Sequence, residues 1–137
     1  MAVIDEIDNV VMLKNISTKE YADVGGYADK IAKRHKNDLK TTQLRKFFGV
    51  VKSFEHKNKW EDVEVEFYLL KPKLAAARGR KVGGKPLIPL DFYNVVMKMM
   101  EKVDVGSEND KIENLEVFIN FFEAIVAYHR FYNAKGN

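Results

Sequence analysis

The chain has 137 residues, 46% of them hydrophobic and 31% charged, with a net charge of +3 and no cysteine. That length and balance fit one globular domain with a single core and exclude disulfides and thiolate metal sites. The pI of about 9.0 is only mildly basic, so the total charge does not argue for nucleic acid and its distribution has to decide.

The first ten residues, MAVIDEIDNV, are acidic and lack the charged-then-apolar order of a signal peptide. Residues 1–16 read as an acidic N-terminal segment free to be flexible, ahead of the helical domain. No apolar run approaches membrane-spanning length, so no membrane association is expected.

A first helix is expected from Ser17 or Thr18, either of which can cap it, to about Lys36. Tyr21, Val24, Ala28, Ile31 and Ala32 share one side, and Gly25-Gly26 permits a kink in the middle. Its basic end, Lys30, Lys33, Arg34 and Lys36, suits the helix dipole.

The second helix, TTQLRKFFGVVKSFEHK, is amphipathic. Leu44, Phe47, Phe48, Val51 and Phe54 form the apolar stripe. Arg45, Gly49, Lys52 and His56 form a positive strip with no acidic partner along it.

The third segment, EDVEVEFYLLKPKLAAARGR, alternates like a strand at VEVEF. Val63, Phe67, Leu70, Leu74 and Ala77 also make a helical stripe, and the alanine run favours helix. Pro72 is expected to kink or break it. A fourth helix from about Leu90 to Val103 turns Phe92, Val95, Val96, Met99, Met100 and Val103 inward. The last helix opens at Asn109 or Asp110 and carries Phe118, Phe121, Phe122, Tyr128, Phe131 and Tyr132. That is more aromatic surface than a small bundle readily hides, so self-association through this helix or through the first two is expected. The fold class is therefore all-α, a compact bundle of about five helices.

GRKVGGKP, residues 79–86, has the glycine and lysine spacing of a phosphate-cradling loop. The hydroxyl that should hold Mg²⁺ is replaced by Pro86, the preceding residues favour helix rather than strand, and Pro86 and Pro89 forbid a helix running straight on. Nucleotide binding is rejected on those grounds. His35, His56 and His129 form no metal pair, and no nucleophile–base arrangement is visible. No metal, no cofactor and no enzymatic activity are expected.

Charge is the remaining signal. From Phe67 to Leu90 there is no Asp or Glu, while Lys71, Lys73, Arg78, Arg80, Lys81 and Lys85 crowd the segment. With the strip on the second helix this forms an electrostatic track suited to nucleic acid. The rival reading is a solvated surface on a helical adaptor or homodimer with no RNA role.

Three separated motifs, LRKFFGVVKSF (44–54), LLKPKLAAARGR (69–80) and FFEAIVAYHRFY (121–132), resemble the small subunit of type III-A CRISPR interference complexes. The resemblance covers about residues 40–132 and departs from the family pattern at Ala76, usually aromatic, and at Arg78, usually small. It implies an all-helical, non-catalytic, cytoplasmic protein acting in antiviral defence. Several copies would line up as a short filament along the crRNA and its paired target RNA, beside the backbone and large subunits. The positions that fit the family's RNA-facing surface are Arg45, Lys52, Lys71, Arg78, Arg80 and Lys81. Such contacts would read backbone and shape rather than bases.

Overall fold

Helical periodicity over most of the chain becomes helix in the computed structural model, which describes residues 2–134. Among the described residues there are seven α-helices and one short ribbon. In order they are α1 (Val3–Asp8), α2 (Thr18–Ala22), α3 (Tyr27–Arg34), α4 (Thr41–Lys52), α5 (Glu64–Gly79), β1 (Lys81–Val82), β2 (Lys85–Pro86), α6 (Leu90–Glu101) and α7 (Glu108–Asn133). Single 3₁₀ turns occupy Leu13–Asn15 and Trp60–Asp62.

The helix count rises from five to seven for two physical reasons. Gly25-Gly26 breaks the first helix outright: Gly25 adopts a φ of 80°, which disfavours side chains. A Cβ on Gly26 would lie 2.6 Å from the Glu20 carbonyl oxygen. The N-terminal segment adds a helix, and it is not a loose arm. Ile7 and Leu13 are fully buried and Ile16 nearly so. Asn114, itself buried, accepts from the Lys14 N–H at 2.9 Å and donates to the Val103 carbonyl at 3.1 Å. It thereby ties this segment to the turn before α7.

Helix α5 is helical through VEVEF and runs unbroken past Pro72. Proline removes the bond to the carbonyl of Tyr68, one turn back. Both residues are exposed, so water can satisfy that carbonyl. The expected break is therefore absent. Val63, Phe67, Leu70, Leu74 and Ala77 are all buried, as their spacing requires.

Helix α7 is the element around which the others pack, with α2, α3 and α4 against it. Phe118, Phe121 and Phe122 are fully buried. Phe122 stacks on Phe48 at 6.2 Å between centroids and meets Phe92 and Phe118 edge-on at 6.4 and 6.1 Å. The aromatic surface expected to need a second subunit is thus largely covered from within the chain, and Phe131 remains exposed. His129 is also buried, its Nε2 lying 3.2 Å from the His35 carbonyl oxygen.

Candidate nucleic-acid interface

The amphipathic period of α4 sets the position of its charges. Leu44, Phe47 and Val51 face the core. One flank, Gln43, Lys46 and Val50 at i, i+3 and i+7, turns towards the C-terminal half of α5. The other flank carries Phe48 and Lys52 towards α7.

Past α5 the chain reverses in a tight ribbon. Lys81 pairs with Pro86 and Val82 with Lys85. Gly83 and Gly84 have φ of 61° and 81°, the left-handed pair that a two-residue type I′ hairpin demands. The glycines of GRKVGGKP therefore close a hairpin. A phosphate loop leaves a strand and enters a helix, whereas here a helix leads in and a strand leads out. The N–H of Leu87 bonds the Arg80 carbonyl at 2.9 Å and fastens the hairpin to the end of α5.

Between α4, α5 and this hairpin lies a groove of about 350 Å³. Phe47, Val50, Ala76, Ala77 and Leu87 give it an apolar floor, and Gln43, Lys46, Lys73 and Arg80 rim it. A smaller recess of about 150 Å³ shares Gln43 and Leu87 and adds Lys40, Thr42 and Lys85. The one acidic group lining either is Asp38, which sits 3.0 Å from His35 Nδ1. Lys40, Lys46, Lys73, Arg80 and Lys85 have no ion-pair partner among the described residues. Unpaired like charges along one concave rim raise the local potential and favour a polyanion.

The sequence-derived positions divide. Arg80 lies on the groove rim, and Lys81 is exposed beside it in β1. Arg45 is exposed on α4, one heptad before Lys52 and on the α7 side rather than in the groove. Lys52 has acidic partners from beside its strip: Glu55 at 2.9 Å and Glu123 of α7 at 3.1 Å. Hydrogen bonds to Glu55 and Glu123 hold its ammonium above the usual lysine range. Lys71 lies 4.9 Å above the Tyr68 ring. Arg78 is half-buried and donates to the Ile88 carbonyl at 3.2 Å, which fits a bracing role between α5 and the segment before α6. His56, at the end of the strip, adopts a φ of 66° and lines a different recess, with Asn58 and Glu116.

Lys46 of the groove and Lys40 of the recess are absent from the sequence-derived basic track; Lys73 and Lys85 stand in its acid-free segment but not among its chosen contact positions. The spacing Gln43, Lys46, Val50 marks Lys46 as a flank residue, but only the placement of α5 shows which flank faces a groove. Among the described residues no group of three His, Asp or Glu could hold a metal ion. No helix among them is long and apolar enough to cross a membrane.

A family model described as Csm2 Type III-A matches residues 18–135. No curated protein and no solved structure matches the chain.

Proposed function

The chain belongs to the type III-A Csm2 family and is a small subunit of the Csm effector complex; from that premise we propose that it is a non-catalytic RNA-supporting subunit. Copies of it line up in the cytoplasmic ribonucleoprotein, beside the backbone and large subunits, and contribute to antiviral defence. Each copy presents the α4–α5–hairpin groove to the crRNA paired with its target. Lys46, Lys73 and Arg80 meet phosphates or 2′-hydroxyls there, with Lys40, Lys81 and Lys85 extending the positive surface. Arg45, Lys52 and Lys71 lie outside the groove and contribute less. Contacts of this kind hold an RNA duplex without reading its bases, which suits a complex whose guide chooses the target by pairing.

The observation that carries this reading is the groove's cationic rim without acidic partners among the described residues, continuous with a segment free of Asp and Glu from Phe67 to Leu90. Ultraviolet cross-linking of the assembled complex, followed by mass spectrometry, tests it. The expected RNA adducts fall on peptides holding Lys46, Lys73 or Arg80. Adducts absent from this chain, with the other subunits labelled, would contradict the proposal.

A further inference from the structure

A cavity of about 470 Å³ opens between α1, α3 and α6. It is larger than the α4–α5–hairpin groove and shares no lining residue with it. Its volume falls within the range of small-molecule sites, about 300–1,000 Å³. Its α1 wall precedes residues 18–135, the span of the family match, so that match does not account for it.

Helical spacing sorts the lining. Val3 and Ile4 of α1, Ile31 of α3 and Val95 of α6 supply an apolar wall. Lys30 and Arg34 share one face of α3 at i and i+4, and Asp91 and Asn94 one face of α6 at i and i+3. Lys30 has no ion-pair partner among the described residues. Arg34 binds Oδ2 of Asp91. That hydrogen bond, then the Arg34 charge, holds the Asp91 carboxyl below the usual carboxylate range, so it stays ionised. His35 lines the cavity although it is only 2% exposed. Its Nδ1 lies 3.0 Å from the Asp38 carboxylate and its ring meets Phe92 edge-on, but no hydrogen bond among the described residues engages Nε2. Nor is Nε2 sealed in protein, so it opens on the cavity. With Nδ1–H donated to Asp38, Nε2 is an acceptor. Leaving a buried acceptor unpaired costs free energy, and a ligand donor would remove that cost.

We infer that this cavity binds a free α-amino acid with an apolar side chain. Its lining carries both signs of charge beside an apolar wall. The two acceptors, His35 Nε2 and the second oxygen of Asp91, suit an ammonium group. The donors on Lys30, Arg34 and Asn94 suit a carboxylate, through charge-assisted hydrogen bonds. The wall of Val3, Ile4, Ile31 and Val95 takes the side chain. A simple organic acid would leave His35 and Asp91 without a donor, and a simple amine would leave Lys30 without an anion. RNA does not suit the cavity: no Phe, Tyr or Trp lines it to stack a base, and the ionised Asp91 repels phosphate. The site shares no residue with the RNA groove, so it stands or falls apart from the RNA reading.

Titration of the purified chain with L-phenylalanine, followed by amide chemical shifts, tests it. Saturable shifts are expected at residues 2–4, 30–35 and 91–95. N-acetyl-L-phenylalanine lacks the ammonium and L-phenylalanine amide lacks the carboxylate. Each is expected to bind about tenfold more weakly, the loss of one charge-assisted hydrogen bond. Lys30 and Asp91 are both exposed, so Lys30→Gln and Asp91→Asn keep the fold, which the unchanged remainder of the spectrum verifies. Lys30→Gln is expected to weaken L-phenylalanine and leave the amide unaffected. Asp91→Asn is expected to weaken L-phenylalanine and leave the N-acetyl form unaffected. No saturable shift at the cavity would overturn the proposal. So would equal binding of all three probes, or variants that bind L-phenylalanine as tightly as the wild type does.

Discussion

Two regions of this molecule handle their cations in opposite ways. Around α1, α6 and the start of α7, and at Arg34 of α3, lysines and arginines are neutralised, although Lys30 and Lys33 of α3 have no ion-pair partner among the described residues. Lys14 meets Asp110 at 2.5 Å, Lys98 meets Glu101 at 2.8 Å and Asp8 at 3.1 Å, Lys111 meets Asp104 at 2.9 Å, and Arg34 meets Asp91. Around the α4–α5–hairpin groove, Lys46, Lys73 and Arg80 have no such partners among the described residues, over an apolar floor. The first arrangement spends its charge on internal contacts. The second leaves charge available to a polyanion. Counting basic residues does not separate the two regions; pairing does.

The sharpest way to break the comparison is to reverse charge on each side. Lys46→Glu, Lys73→Glu and Arg80→Glu together are expected to weaken RNA retention by the assembled complex by about tenfold or more, since three phosphate contacts are lost. Their melting temperature should barely move, because exposed substitutions shift stability by only about half a kcal/mol. Lys98→Glu with Lys102→Glu should do the reverse, lowering the melting temperature and sparing RNA retention. Filter binding and thermal melts on both variants decide it.

A smaller effect is expected at the hairpin turn. Gly84→Val forces a β-branched residue to a φ of 81° and should cost about 1–2 kcal/mol locally. No atom lies within 4 Å of the added Cβ, so the penalty is conformational. Hydrogen exchange should show faster opening at residues 81–87, with the core unchanged.

Single truncations should rank the cations. Arg80→Ala is expected to lower RNA affinity about threefold and Lys52→Ala less than that, because each phosphate contact contributes through counterion release and Lys52 is already held by two carboxylates. Equal losses would mean that pairing does not decide which cations serve RNA.

The smallest effect is on the paired side. The hydrogen bond from Lys14, then those from Ser107, push Asp110 down to about 2. A depressed carboxyl stabilises the fold above its unfolded value of 3.8 and loses that contribution as pH falls through about 2. Lys14→Ala should therefore flatten the decline in stability between about pH 4 and 2, as read by acid titration of the circular dichroism signal.

Much of the fold is legible in the sequence because single helices bury single stripes. Val63, Phe67, Leu70, Leu74 and Ala77 declare α5, and Phe92 through Val103 declare α6. The N-terminal packing is not legible, since Ile7, Leu13 and Ile16 sit in different elements and share no period. The hairpin is hidden because its strands are two residues each, too short to alternate. Of the candidate surface, its basic character and Lys73, Arg80, Lys81 and Lys85 can be read from the segment without acids. The choice between Lys46 and Lys52 cannot. It depends on Glu123, 71 residues away, and on which flank of α4 faces α5.

The most direct test of the account is the salt dependence of RNA retention by complexes carrying the wild-type chain or the Lys46→Glu, Lys73→Glu, Arg80→Glu variant. Each phosphate contact contributes about 0.7 to 0.9 to the slope of log affinity against log salt. The account predicts a slope shallower by about two to three for the variant, whatever the RNA sequence. An unchanged slope in a normally folded variant would show that the groove is a solvated surface that RNA does not touch.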